Sequence, residues 1–146
     1  MTAPGPSLTL LGFDVGEQRT GIAVGNTLSR TAEPIEVAQA ERIWEAVERL
    51  VALWQPDGFV VGLPTQADGS DTHGTAAARK FANRLRGRLG KPVMLVDERY
   101  STVEAESRYG RIAADHHAAA VLLQQYLDSS SPATDFPKPP TPPPPR

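Results

Sequence analysis

Apolar residues follow two different patterns along this chain. Four short, nearly continuous apolar runs are typical of strands that are buried on both faces of a sheet. These runs are residues 8–15, 19–26, 58–63 and 92–97. Elsewhere apolar residues recur every three or four positions, which predicts amphipathic helices. We expect these helices at residues 41–55, 74–89, 101–110 and 114–128.

The order of these elements predicts the fold class. The tight connection Gly16-Glu17-Gln18 joins the first two strands into a hairpin. A weaker strand is predicted at residues 34–38, where Pro34 favours a position at the edge of a sheet. The later strands alternate with helices. We therefore expect an α/β fold, a mixed five-stranded sheet with helices on both faces.

Composition changes at both ends of this predicted core. Residues 1–7 are interpreted as a flexible N-terminal arm, and residues 130–146 as a disordered Pro-rich tail. The remaining residues, 8–129, are expected to form the one domain of this 146-residue chain. The chain has no cysteine, no apolar run near the ~20 residues of a membrane span and no secretory pattern at its start. We expect a cytoplasmic protein with no membrane partner.

Charge is unevenly distributed although the formal net charge is only −2. Residues 33–57 are mostly acidic, whereas residues 79–111 contain nine bases against four acids. Such a basic segment fits a surface that binds phosphate groups. It also fits an ordinary solvated helix face, and charge alone favours that second interpretation.

Three carboxylates occur where apolar elements begin or end. Asp14 lies near the end of the first strand, Glu98 follows the strand at 92–97, and Asp115 precedes the apolar face of the last helix. If the ends of these elements meet, the three charges repel one another and need protonation or a cation. Oxygen ligands of this kind suit Mg²⁺, which together with a second ion can activate water against a phosphodiester. Taken singly, each acid is better explained as a turn, ion-pair or helix N-terminal residue, and only the three together favour a metal site.

Four segments of the chain, in this order, resemble the signature blocks of a known family. They are LGFDVGEQRTGIAVGN (11–26), VVGLPTQADGS (60–70), VDERYST (96–102) and DHHAAAVLLQQYLD (115–128). They resemble the YqgF-type family, whose members are also called RuvX-like Holliday junction resolvases or pre-16S ribosomal RNA nucleases. The resemblance extends over nearly all of residues 8–128.

This resemblance implies a ribonuclease H-like fold and a metal-dependent nuclease. It implies that Asp14, Glu98 and Asp115 are the catalytic residues and the metal ligands, with Mg²⁺, or Mn²⁺ in its place, as the cofactor. Substrate-binding residues are expected around this site, at Arg19, Arg99, Ser101, Thr102, Asp68 and Ser70. Arginine is suited to this task because its guanidinium group holds phosphate oxygens in a bidentate manner.

Several functions remain open at this point. The preferred one is hydrolysis of structured RNA in the 5′-end maturation of pre-16S ribosomal RNA, a step of ribosome biogenesis. Alternatives are resolution of four-way DNA junctions in recombination and repair, and a non-catalytic RNA-binding assembly factor. The protein would act as a monomer or a homodimer. A sugar-kinase-type phosphotransferase would need a second similar domain, for which 146 residues leave no room.

Overall fold

A computed structural model of the chain describes residues 7–16, 18–63, 73–97 and 114–129, and for residues 73, 97, 114–116 and 129 only the backbone. The sheet is built from β1 (Thr9–Val15), β2 (Arg19–Asn26), β3 (Thr31–Gln39), β4 (Gly58–Leu63) and β5 (Val93–Asp97). The α-helices in the described part are α1 (Ile43–Trp54), α2 (His73–Leu89) and α3 (Ala114–Ser129), and a short 3₁₀ turn, Ala40–Arg42, precedes α1. The helix predicted at residues 101–110 lies outside the described residues.

The five strands form one mixed sheet in the order β3-β2-β1-β4-β5. β1 pairs with β2 in an antiparallel hairpin and with β4 in parallel. β4 in turn pairs in parallel with β5. Because β1, β4 and β5 run in the same direction, their carboxyl ends lie along one edge of the sheet. This confirms the α/β fold class expected from the sequence.

The third strand is longer than its apolar residues predicted. β3 begins at Thr31, three residues before Pro34, and its pairing with β2 shifts register between Ile22 and Ala23. Proline has no backbone N–H to donate, so it is tolerated at such an irregularity on an edge strand. β3 does lie at the edge, as Pro34 indicated.

The two faces of the sheet carry separate hydrophobic cores. One face packs against α1 and α2 around Phe13. The centroid of the Phe13 ring lies 5.9 Å from that of Phe59 and 5.1 Å from that of Phe81. The opposite face packs against α3 through Leu10, Ala23 and Val60. Alternation along β1 therefore sends Leu11 and Phe13 to the first core and Leu10 to the second. Helices cover both faces, as predicted.

The ends of the elements are held by polar contacts. The backbone N–H of Thr9 donates to Asp57 Oδ2 at 2.9 Å, and the N–H of Asp57 donates to the Thr9 carbonyl at 2.7 Å. At the edge of the sheet, Arg49 pairs with Glu36, and the hydrogen bond to Glu36 and its negative charge raise the pKa of Arg49.

Within the described residues, no helix combines the length and hydrophobicity needed to cross a membrane.

Candidate functional site

Asp14 is the next-to-last residue of β1, the central strand of the sheet. It pairs with Gly21 of β2 and is half-buried. Strand alternation places it on the same face as Leu10 and Gly12, which is the face covered by α3. The carboxylate therefore lies at the carboxyl edge of the sheet, on its α3 side.

Two glycines let α3 approach the sheet closely. A Cβ atom at Gly25 would lie 2.9 Å from Leu123 Cδ2 and 3.2 Å from Leu127 Cδ1. A Cβ atom at Gly12 would lie 3.1 Å from Leu123 Cβ and 3.4 Å from the Ala119 carbonyl oxygen.

These contacts also fix the direction of α3. Gly25 pairs with Leu10, and the helix residues at that level are Leu123 and Leu127. Two residues further along β1, at Gly12, the neighbouring helix residues are Leu123 and Ala119. α3 therefore runs antiparallel to β1, and its first turn lies toward the carboxyl end of the strand. Asp115 belongs to that first turn, one helical turn before Ala119. The backbone of Asp115 and the end of β1 that carries Asp14 thus lie at the same end of the molecule.

The strands beside β1 bring a third position to this edge. Phe13 is level with Val61, and Val61 with Leu95, so the next row contains Asp14, Gly62 and Val96. Val96 packs against the α3 core, which places it on the same face as Asp14. Glu98 follows Val96 by two residues and lies outside the described residues, as do Arg99, Ser101, Thr102, Asp68 and Ser70.

Arg19 opens β2 at the same edge of the sheet. The N–H of Gly16 donates to the Arg19 carbonyl at 3.0 Å, and a Cβ atom at Gly16 would lie only 2.6 Å from that oxygen. Glycine at position 16 is therefore what lets the hairpin close and bring Arg19 back beside the end of β1. The Arg19 side chain is exposed and forms no hydrogen bond or ion pair with another described residue.

A metal site cannot be assembled from the described side chains alone. Among them, no three His, Asp or Glu residues come close enough together to hold an ion. Of the three carboxylates singled out in the sequence, the side chain of Asp14 is the one that the structure describes. Its half-buried carboxylate, an oxygen donor beside a closely packed helix, fits a hard divalent cation.

The fold defines the general class of protein. A structure described as "T. thermophilus RuvC in complex with Holliday junction substrate" superposes with a TM-score of 0.54, covering 85% of this chain and 97% of that chain at 16% identity. A second structure of Thermus thermophilus RuvC gives a TM-score of 0.53 at 15% identity, covering 84% of this chain and 95% of that chain. The chain therefore has the RuvC-like, ribonuclease H-like α/β fold.

Sequence comparison identifies the family within this class. Residues 8–129 match the family model described as "RuvX: Holliday junction resolvase". A Paraburkholderia phytofirmans protein named "Putative pre-16S rRNA nuclease" is 49% identical over 140 residues, covering 90% of this chain and 96% of the relative. A Bordetella parapertussis protein of the same name is 49% identical over 128 residues, covering 85% of this chain and 96% of the relative. The chain belongs to the RuvX family of nucleases and is a hydrolase, as the sequence motifs indicated.

Membership in this family implies in general a nucleic-acid substrate and dependence on a divalent metal ion.

Proposed function

We propose that this chain is a Mg²⁺-dependent endonuclease that hydrolyses phosphodiester bonds in pre-16S ribosomal RNA during maturation of its 5′ end. The name shared by relatives 49% identical over most of the chain supports the choice of substrate. The proposed metal ligands are Asp14, Glu98 and Asp115, with Mn²⁺ as an acceptable substitute for Mg²⁺.

One observation carries the assignment of the site. The close packing of Gly12 against Ala119 and Leu123 sets the register of α3 on β1. From Gly12 to Asp14 is two residues of strand, about 6.6 Å, and from Ala119 to Asp115 is one turn of helix, about 6 Å. These matched steps in the same direction support a site in which Asp14 and Asp115 share one ion. Glu98, which follows β5 in the chain two residues after Val96, is proposed to complete the ligand set.

The roles of the residues follow from their chemistry. When bound, the divalent ion supplies positive charge that polarises the phosphate and lowers the pKa of water. Asp14, Asp115 and Glu98 supply the oxygen donors, and their mutual repulsion keeps the site ready for a cation. Arg19 and Arg99 hold non-bridging phosphate oxygens of the substrate and orient the scissile bond. Ser101, Thr102, Asp68 and Ser70 are proposed to border the substrate.

A second substrate is favoured by the family description, Holliday junction resolvase. A four-way DNA junction presents two symmetric scissile bonds, and cutting both requires a homodimer with two related sites. The chemistry at each site would be the same. The two functions differ in the nucleic acid that is bound and in the number of chains that act together.

The test compares Asp14→Asn with the parent on a pre-16S RNA fragment and on a four-way DNA junction. Asp14→Asn keeps the shape of the side chain and removes its charge, so we expect at least a ~100-fold loss of cleavage. Asp128→Asn is the matched control, because Asp128 lies in the last turns of α3 and accepts a hydrogen bond from Gln124 that asparagine can keep. Cleavage by Asp14→Asn at the parental rate in Mg²⁺ would reject the site.

A further inference from the structure

Helix α2 carries a strongly basic outer surface that the proposed active site does not use. The helix contains five bases and no acid, and all five basic side chains are exposed: Arg79, Lys80, Arg84, Arg86 and Arg88. α2 packs against β4, β1 and β5 on the sheet face opposite α3. The basic surface therefore points away from the core and lies on the side of the sheet opposite the face that carries Asp14 and α3.

Three of these bases form a line, here called the basic ridge: Lys80, Arg84 and Arg88. They are four residues apart, so they follow one another along the helix at intervals of about 6 Å. Like charges at this spacing repel one another and destabilise a helix. Neither Lys80 nor Arg84 has an ion-pair partner among the residues that the structure describes. The fold thus maintains a ridge of positive charge that its own stability does not require.

One end of the basic ridge is held in place. The guanidinium carbon of Arg88 lies 4.4 Å from the centre of the Trp44 ring, which in turn lies 5.2 Å from the ring of Phe81. Stacking on an aromatic face restrains the arginine while its charge stays at the surface. Lys80 and Arg84 extend this fixed charge along the helix.

Beside the basic ridge, the helix surface is bare at Gly87. This residue is exposed in the last turn of α2, and a Cβ atom there would have no described neighbour within 4 Å. Packing therefore does not explain a glycine that weakens the helix. A bare point between Arg84 and Arg88 allows a ligand backbone to approach the helix closely.

We propose that the basic ridge binds the sugar–phosphate backbone of the nucleic acid whose phosphodiester bond the Asp14 site hydrolyses. The inference rests on the proposed function for the identity of this partner. The contact is electrostatic and independent of sequence, so it holds and orients the substrate while the edge of the sheet performs the chemistry. A row of evenly spaced cations matches a polyanion with regularly spaced charges.

The test is binding, measured in EDTA so that no cleavage occurs. The variant is Lys80→Gln/Arg84→Gln, and the probes are an RNA hairpin with a stem of about 16 bp and a four-way DNA junction. Loss of two phosphate contacts should lower the slope of log affinity against log salt by about 1.8 and weaken binding roughly 30-fold near 0.15 M salt. Both probes should respond, since both present phosphates, and the tighter one identifies the nucleic acid.

The matched control is Arg30→Gln/Arg42→Gln, which removes the same charge from exposed positions outside α2. For this control, the slope of log affinity against log salt should remain that of the parent. Thermal unfolding separates binding from folding: the ridge variant removes a like-charge pair, so its Tm should not fall. Polyglutamate is added as a competitor, and displacement of the RNA at equal charge concentration would mean that the partner is an acidic protein, which overturns the proposal.

The two proposals fail separately. If Asp14→Asn abolishes cleavage but the ridge variant binds with the parental affinity and slope, the basic ridge is rejected and the active site stands. If the ridge variant loses affinity but Asp14→Asn cleaves at the parental rate, the docking surface stands and the site assignment is rejected.

Discussion

Gly12 and Leu123 meet where β1 crosses beneath α3, so closely that a methyl group on Gly12 would fit only if its neighbours moved by a few tenths of an ångström. A Cβ atom at Gly12 would lie 3.1 Å from the Cβ of Leu123, an atom fixed directly to the helix backbone. Leu123 is fully buried and Gly12 is on the central strand. The strand that carries Asp14 and the helix that carries Asp115 are thus positioned against each other by backbone proximity rather than by adjustable side chains.

Gly12→Ala is therefore expected to destabilise the protein and to impair cleavage. Overpacking a core of this kind typically costs about 1–3 kcal/mol, since the helix must move outward as a unit. The same movement displaces the first turn of α3 from the end of β1. We expect urea denaturation to give a lower free energy of unfolding. We also expect kcat at 25 °C to fall by more than the unfolded fraction of the protein alone can explain.

Gly25→Ala serves as the comparison for this prediction. Its new methyl would contact Leu123, Leu127 and the Thr31 carbonyl at 2.9–3.2 Å, one step further from the proposed site. It should lose at least as much stability as Gly12→Ala while retaining more activity in the folded fraction. Equal losses of activity from both variants would show that the contact of α3 with Gly12 does not position the proposed site.

Gly16→Ala should open the hairpin that returns Arg19 to the edge of the sheet. The added Cβ would lie 2.6 Å from the Arg19 carbonyl oxygen, a backbone atom that cannot rotate away. The hydrogen bond from Gly16 N–H to the same oxygen would have to lengthen from 3.0 Å. We expect a loss of about 1–3 kcal/mol in stability, together with a raised KM for the nucleic acid as Arg19 moves.

Gln18→Ala is the control for the turn. The Gln18 side chain is exposed, and the contact of this residue with the 3₁₀ turn is made by its carbonyl, which accepts from Ala40 N–H at 2.9 Å. An alanine retains that carbonyl, so stability and KM should be unchanged. If Gly16→Ala behaves like Gln18→Ala, the close approach at Gly16 is not what closes the hairpin.

Much of the fold could be predicted because the apolar pattern is strong where the elements are buried. β2 and β4 begin and end at the residues that the sequence indicated, since both are nearly continuous apolar runs in the middle of the sheet. β3 is an edge strand with one solvated side, so half of its residues are polar. Pattern alone therefore detected only its apolar part, residues 34–38, of the nine residues Thr31–Gln39.

The site itself stays a prediction. The sequence singled out Asp14 by its position near the end of the first strand, and the structure places it at the carboxyl edge of the central strand. β5, which precedes Glu98 in the chain, is separated from β1 by β4. The register of α3 could not be read from the sequence, because it depends on which small residues of the sheet the helix meets. No local sequence pattern indicated that Gly12 would contact α3, or that Gln124 would bind the backbone of β3.

Gln124→Ala should loosen α3 from the edge of the sheet. Gln124 Oε1 accepts from Ala32 N–H at 3.0 Å, and Nε2 donates to the Arg30 carbonyl at 2.8 Å. Removing the amide leaves the Ala32 N–H of the edge strand and the Arg30 carbonyl before it without this partner. The contact with Ala32 is partly buried and that with Arg30 is exposed, so we expect a loss of about 0.5–1.5 kcal/mol. Urea denaturation provides the measurement. Because the contact lies at the far end of α3 from Asp115, activity at low temperature should be retained. A Gln124→Ala protein as stable as the parent would mean that water replaces both hydrogen bonds at no cost.

Gly87→Ala separates stability from substrate binding. Alanine is favoured over glycine in helices, by about 1 kcal/mol in the interior and by less in a last turn such as that of Gly87, and the new methyl would meet no described neighbour. The Tm should therefore rise, by at most roughly 2–4 °C. If the basic ridge holds a phosphate backbone close to this bare point, the same methyl should weaken binding of the RNA hairpin. A change in opposite directions is diagnostic, because a residue with a purely structural role would not lower affinity while raising Tm. A variant that is stabilised and binds as tightly as the parent would remove Gly87 from the docking surface and leave the charges of Lys80 and Arg84 as its basis.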